Sequence, residues 1–494
     1  MKKMNFKSKV SRFSVILASL LVISAPSQSL SLSTGAQNWL RADLEALSRS
    51  KIIKAPISTW PVFWPAIEAD LNNTEISEVA PKLRAAFTRV KLEATRSLQK
   101  KNAANLEIRL ASKTTPLTQF EQNTLIGDRS SLSLERQFRN FEAHLQFNLE
   151  DDDRYAPMDG SYVGYRSAKS FIGVGKINHY WGNGHVQSLA MGNTAPPRNG
   201  LFWRSASAAP FELPILRLLG PYSLSAFAEI LDDERHIGDA KLIGFSASFR
   251  PSSWVELSGR RLMQWGGQGR PETADNFFDL LVGGRDNCST PDCKSDEPGN
   301  QIGALEVSFD IPQISSSVFI QYIGEDEANY FPSRGAFQYG LKHDIVIREN
   351  FWSFFVEYSD TVVGRRNGDL MFNTLYNHGI YKSGFRFHQI SLGAPTDNDS
   401  RRFSFGGSSV LRSGDRIRFL VDSADLNYES LDGDLSAHSL APNGAAYRGV
   451  EASLEKNYGK FDLKFEFSYR NAVEGDIFGL DEGGGFSLTF QKSF

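Results

Sequence analysis

The strongest constraint on this chain is a two-residue period that keeps one face apolar over segments about ten residues long. In "FDLKFEFSYR", Leu463, Phe465, Phe467 and Tyr469 fall on one side, and Asp462, Lys464, Glu466, Ser468 and Arg470 on the other. "FEAHLQFNLE" sets Phe141, Ala143, Leu145, Phe147 and Leu149 against Glu142, His144, Gln146, Asn148 and Glu150. "NLEIRLA" sets Leu106, Ile108 and Leu110 against Glu107 and Arg109. Successive side chains of a strand point to opposite faces, so each segment reads as a strand with one apolar and one charged side. A soluble sandwich would carry polar groups on its outer face and use shorter strands. An apolar face for lipid and a charged face for a lumen define a transmembrane barrel.

The run "FSLTFQKSF" follows the same rule, with Phe486, Leu488, Phe490 and Phe494 opposite Ser487, Thr489, Gln491 and Ser493. As a free edge it would be a frayed apolar strand, which soluble proteins avoid. In a barrel it is expected to close the sheet against the first strand, near residue 105. A closing strand that ends on Phe494 is also expected to engage the barrel-assembly machinery.

Beyond the first thirty residues, no stretch approaches the ~18 consecutive apolar residues of a spanning helix. A closed barrel is the other structure that satisfies every backbone group in lipid. The first residues supply the compartment. A basic "MKKMNFKSKVSRF" precedes the apolar "SVILASLLVISA" and the small-residue stretch "APSQS", the order of a signal peptide over residues 1–28. The chain is therefore expected to be exported. A net charge of -3 gives no basis for a nucleic-acid partner, and none is expected. The two cysteines, Cys288 and Cys293 in "DNCSTPDCK", are expected to close a small disulfide loop in an exported protein. The alternative, a metal site, would need further thiolate or imidazole ligands, and none lies nearby in sequence.

From about residue 36 to 101 the period is helical. "QNWLRADLEALSRSKII" places Leu40, Leu44 and Leu47 on one face with charges opposite, and a second helix carries the stripe Leu83, Phe87, Val90 and Ala94. Residues 30–103 are expected to form a helical periplasmic cap or spacer, and residues 105–494 the barrel. Short turns at "FRPSSW", "DIPQIS", "IRENF", "RSGD" and "KNYGK" alternate with long polar stretches at 151–168, 231–240, 263–300, 325–336, 359–379 and 423–446. Short periplasmic turns and long external loops are the habit of outer-membrane barrels. The reading gives a mainly β fold of about eighteen strands, a monomer surrounded by outer-membrane lipid, with the helices and residue 494 on the periplasmic side. On this count "FIGVGKI" runs inward and "YSLSAFAEI" outward. Residues 179–220 between them then either fill the lumen as a plug, the preferred reading, or hide another hairpin.

The inventory for catalysis is poor. Acidic clusters at Asp151, Asp152 and Asp153, at Asp232, Asp233 and Glu234, and at Glu325, Asp326 and Glu327 sit at the roots of loops. They read as solvated surface rather than as hydrolytic or calcium sites. His179 and His185 flank "YWGNG" without a nucleophile or metal-ligand spacing, and are assigned to packing or to the lumen. No enzyme activity, cofactor or metal is expected. Carbohydrate recognition fits better, because aromatic rings stack on sugars while amides, carboxylates and Arg bind hydroxyls. The 263–300 loop collects Trp265, Gln268, Arg270, Phe277, Arg285, Asp286 and Asn287. Trp265, Gln268, Arg270, Arg285, Asp286 and Asn287 are taken as the polysaccharide-binding candidates, with the 359–379 and 423–446 loops as the next places to look.

Six stretches, "YWGNGHVQSLAMGNTAPP", "LLGPYSLSAFAEILDDER", "AKLIGFSASFRP", "MQWGGQGRPET", "FFDLLVGGRDN" and "EPGNQIGALEVSF", resemble consecutive motifs of the Wzi-like capsule-assembly family. "DLEALSRSKIIKAPISTWP" resembles that family's N-terminal helical module. The resemblance implies an outer-membrane barrel of eighteen strands with a periplasmic helical bundle. It also implies a lectin-like role in holding or organising capsular polysaccharide, or another exopolysaccharide, at the surface. Two features depart from the family pattern: "WGNGH" lacks an expected proline, and the Cys288–Cys293 insert bears on glycan choice. The competing class is a porin or polysaccharide export channel, for which so wide a barrel supplies the lumen.

Overall fold

The computed structural model describes residues 31–32, 38–99, 102–120, 124–282, 298–328, 331–365, 368–428 and 438–494. Residues 1–28, expected to be a signal peptide, lie outside them. Eighteen antiparallel strands, from Asn102–Ala111 to Gly483–Ser493, close into one ring in which chain neighbours are ring neighbours. A two-residue stretch, Leu370–Met371, adds to the end of Asn350–Arg365. Closure occurs where the alternation placed it: Leu488 pairs with Leu110, Phe490 with Ile108, and Ser493 with Asn105. Phe486 is 67% exposed on the lipid side, while Ser487 and Thr489 are buried on the lumen side.

The lumen side of the wall is charged, and many of its charges are paired, while Arg204 donates to the carbonyl of Thr59 instead. Arg402 meets Asp422 at 2.6 Å, Arg470 meets Glu451 at 2.6 Å, Arg198 meets Glu229 at 2.6 Å and Arg260 meets Glu306 at 3.1 Å. Buried charges persist only when so compensated.

The five short turns read from the sequence lie at one end of the ring, and the N-terminal helices enter there. At the opposite end the expected 325–336 loop is instead a continuation of two wall strands, with Ala328 paired to Phe331. The first helix, Asn38–Arg49, turns Leu40, Leu44 and Leu47 onto Ile67 and Leu71 of Trp64–Asn72 and onto Phe87, Val90 and Ala94 of Arg84–Gln99. Its charged face does not meet water. Glu45 lies 2.7 Å from Lys342, Arg49 pairs with Asp344, and Arg250 hydrogen-bonds Ser48. The helices are thus fitted into the barrel end rather than standing clear of it.

From the opposite end, loops fold inward. In residues 178–197, Trp181, Leu189 and Met191 are fully buried, and the wall receives the loop's backbone. Gln321 Oε1 accepts from Leu189 N at 2.7 Å, and the Glu357 carboxylate accepts from His185 N and Val186 N. Thr59–Trp60, beside the helices, pairs with Tyr180–Trp181, so the two fillings meet inside the barrel. Phe120, from the loop after the first strand, packs edge-on against Trp60 and Tyr180, both at 4.9 Å between centroids. The 368–400 loop completes the filling, with Tyr376 donating to Leu189 O at 2.6 Å.

This corrects the expected path of residues 179–220. Tyr162–Arg166 is a barrel strand, so Ser170–Ile177 runs outward, away from the helix end. Residues 178–197 therefore enter the lumen from the external end, Arg198–Ser207 is a further wall strand, and residues 208–221 form a loop at the helix end. A small luminal hairpin, Arg386–Phe387 with Ile390–Ser391, precedes the wall strand Arg401–Val410.

Candidate functional site

Two clusters stand on the outward side of the rim at the end opposite the helices. The first lies where Val255–Trp265 ends. Gly266, Gly267 and Gly269 all take positive φ, which turns the chain sharply back before the helix Ala274–Val282. Trp265 is half-buried; its indole N–H donates to Asn276 Oδ1 at 3.2 Å, and its ring meets Phe277 edge-on at 5.5 Å. Gln268 is exposed and donates from Nε2 to Asp239 at 3.1 Å. Arg270 hydrogen-bonds the side chain of Tyr381, whose hydroxyl donates to Gly266 O at 3.1 Å. Burial pushes the Tyr381 phenol up, so it stays a neutral donor. The structure thus brings Trp265, Gln268 and Arg270 to one corner. Arg285, Asp286, Asn287, Cys288 and Cys293 lie outside the described residues.

Sequence reasoning did not single out the second cluster, although it falls at the ends of the two alternative loops. Arg401 reaches Asp360 at 3.0 Å and lays its guanidinium 3.9 Å above the ring of Tyr428, which meets Phe372 edge-on at 6.4 Å. Arg401 and Asp360 are on the outward side of their strands and solvent-accessible, at 44% and 28% side-chain exposure. Burial and the carboxylate of Asp360 push the Tyr428 phenol up. The signal was a basic residue opening one strand, an acidic residue opposite it within the neighbouring strand and a tyrosine just past a third, a pattern visible only once register is known. Such a group can stack on a sugar ring and bind its hydroxyls.

Several of the remaining candidates take structural places. Asp151 caps Gly127 N and Asp128 N, both at 3.1 Å, and Asp152 binds Arg154. His179 stacks on Phe227 and meets Glu229 at 3.0 Å; His185 stacks on Phe355 and meets Glu45 at 3.0 Å. Among the described residues no three His, Cys, Asp or Glu side chains are arranged to hold a metal ion.

An eighteen-stranded barrel with a lipid-facing apolar belt and a lumen filled from both ends is an outer-membrane protein of the plugged class. The chain belongs to the capsule assembly protein Wzi family, whose model matches residues 89–478. It is 26% identical to a 55.8 kDa protein of the cps region of Klebsiella pneumoniae, over 98% of this chain and 94% of that one. Among solved structures it resembles Wzi, an outer-membrane protein involved in group 1 capsule assembly in Escherichia coli and a carbohydrate-binding β-barrel. That likeness has a TM-score of 0.80 at 23% identity, covers 94% of this chain and 99% of that chain, and confirms the fold.

Proposed function

We propose that this protein binds capsular or related surface polysaccharide at its external rim and organises it at the cell surface, without catalysing its chemistry. The observation that carries the reading is the filled lumen. Helices close one end, and loops hydrogen-bonded to the wall fill the other, so the barrel offers a surface to a polymer rather than a passage. Family membership and the carbohydrate-binding relative in Escherichia coli support the same reading.

The polymer would lie along the arc of rim from Trp265 to Arg401. Trp265, Gln268 and Arg270 form one end of this arc, Arg401, Asp360 and Tyr428 the other, and Arg285, Asp286 and Asn287 belong to the loop that leaves the first corner. A Cys288–Cys293 bridge would restrict that loop and lower the entropy lost on binding a flexible chain. In this reading the helices face the periplasm, the barrel is a monomer in lipid, and the strand ending near Phe494 is what the assembly machinery engages.

The test is cell-associated against shed polysaccharide for Trp265→Ala, Arg285→Ala and excision of residues 266–298, with heat-modifiable gel mobility as the control for folding. Retention unchanged by the excision moves the site to the Arg401 cluster. Retention unchanged by loss of both clusters contradicts the reading.

A further inference from the structure

The loop at residues 208–221 leaves the barrel at the helix end and carries "PFELPILRLLG". Leu213, Ile215 and Leu218 are 63%, 82% and 76% exposed, and Leu216 lies beside them. The conformation is fixed by the loop itself. Arg217 N donates to Leu213 O at 2.8 Å, Leu218 N to Ile215 O at 3.3 Å and Gly220 N to Arg217 O at 3.1 Å. Gly220 has φ 73°, and a Cβ there would lie 1.9 Å from Arg250 O, so only glycine lets the chain return to the wall at this point. A fixed turn showing four large aliphatic side chains is a surface built to be covered.

The side on which it lies is set by strand parity. Tyr222 and Phe249 occupy outward positions of Tyr222–Ile230 and Lys241–Ser252, as shown by their lumen-facing neighbours Ser223 and Ser248 being buried. Phe211 stacks on Tyr222 at 4.1 Å and 6°, and lies 6.5 Å from Phe249. The loop therefore folds over the lipid-facing side of the wall and not beneath the lumen. Its level is that of the aromatic belt at this end, which Trp254 in the turn beside it, and Phe138 and Phe141 at another turn, mark with large exposed rings. Such rings sit at the membrane interface of barrels.

We propose that residues 211–219 are a lipid-embedded keel: Leu213, Ile215, Leu216 and Leu218 insert into the leaflet at the helix end, and Arg217 meets phosphate headgroups. The surface is continuous with the lipid-facing belt, and its chemistry is that of an interfacial segment: aliphatic side chains with one basic group, Arg217, and one carboxylate, Glu212. Glu212 lies 4.0 Å from Lys169 of the neighbouring turn and stays at the headgroup level. The keel sets how deeply the barrel sits and which way it leans. It does not depend on polysaccharide binding.

The experiment uses the full chain in phospholipid vesicles, with Cys288 and Cys293 replaced by Ser. Ile215→Cys and Leu218→Cys carry a polarity-sensitive fluorophore, and Ser413→Cys, in an exposed turn at the same end, is the aqueous control. Lipids bearing a nitroxide high on the acyl chain should remove most of the emission at 215 and 218 while iodide in the buffer leaves it unchanged; the control should show the reverse. Labels at 215 and 218 that iodide quenches and the lipids do not would overturn the keel and give the surface to a soluble partner. Heat-modifiable mobility confirms that each variant is folded, and a second pair of labels at 213 and 216 guards against a local effect of one probe.

Discussion

The carboxylate of Glu45, on the first helix, lies 2.7 Å from the ammonium of Lys342 on the barrel wall. The same carboxylate meets His185 Nε2, from the loop that descends from the external end, at 3.0 Å. One side chain therefore joins the helical filling, the wall and the loop filling. Burial opposes its ionisation, but Lys342, the hydrogen bond with His185 and the Arg41 guanidinium hold the Glu45 carboxyl well below the usual carboxylate range. Burial also pushes His185 down to about 3, so at neutral pH the imidazole is uncharged, and the cations beside the carboxylate are Lys342 and Arg41, whose Nε lies 2.9 Å from Glu45 Oε1.

Removing one partner of such a pair leaves the other buried and uncompensated, at a cost of about 3–5 kcal/mol. Glu45→Ala is expected to loosen the helices from the barrel end while the strands stay closed. Limited proteolysis between residues 50 and 63 should become faster, with heat-modifiable mobility retained. Equal cleavage in wild type and variant would show that the contact does not hold the helices.

The filled lumen predicts little steady conductance in planar bilayers. Deleting residues 179–197 alone should open a persistent current, because the helices and the loop meet at Thr59–Trp60 and Tyr180–Trp181, and the deletion removes that meeting. A large current through the intact protein would contradict a filled barrel and restore the channel reading.

Closure depends on the final strand. Gln491 and Ser493 pair with Glu107 and Asn105, and Phe494 N donates to Ala104 O at 2.9 Å. Deleting residues 491–494 should abolish the difference in gel mobility between boiled and unboiled protein. Persistence of that difference would mean that the seam is held elsewhere.

Much of this was legible in the residues. Wherever a strand kept one apolar and one charged face, as in Phe141–Glu150 or Asp462–Gly475, existence, facing and closure could be read directly. Tyr162–Arg166 was not legible, because five residues with a central glycine do not show a period. Missing it reversed the direction assigned to Ser170–Ile177 and misplaced residues 178–221. The helical stripe of Leu40, Leu44 and Leu47 was readable, but the fate of the opposite face was not. Its partners Lys342 and Asp344 are remote in the chain, and a charged helix face reads as solvated until they are known. The inward loops were hidden for a related reason. Their polar composition is that of any external loop, and only hydrogen bonds to wall residues such as Gln321 and Glu357 make burial affordable. Of the rim, the Trp265 corner was visible as a collection of residue types, whereas the Arg401–Tyr428–Asp360 group needed the register of three strands.

The loop at 368–400 carries a pH dependence. Burial, opposed by the Asn373 N–H and reinforced by Asp397, pushes the Asp399 carboxyl up to about 6. Its folded value lies above the unfolded one, near 4, so its contribution is fully present below about pH 4 and is lost as pH rises through 6. The difference amounts to at most about 3 kcal/mol. Hydrogen-exchange protection of residues 368–400, corrected for intrinsic rates, should fall between pH 4 and 7, and Asp399→Asn should flatten that fall. Equal slopes in the two proteins would remove Asp399 as the cause.

At the rim, each aromatic or Arg contact with a sugar is worth about 1 kcal/mol, the net value of one hydrogen bond. A long polymer multiplies such contacts through effective concentration. Trp265→Ala and Arg401→Ala should each weaken retention partially, and the double variant more than either alone. Single and double variants that all retain polysaccharide as the wild type does would place both residues outside the polymer's path.

The central claim is that this barrel holds polysaccharide at the surface rather than passing it through. It is tested most directly by comparing total and cell-associated polysaccharide in cells with and without the protein. The account predicts an unchanged total, with the cell-bound share lost to the medium in the deletion strain and restored by the wild-type chain. A fall in total output at an unchanged cell-bound share would contradict it and mark the protein as a conduit.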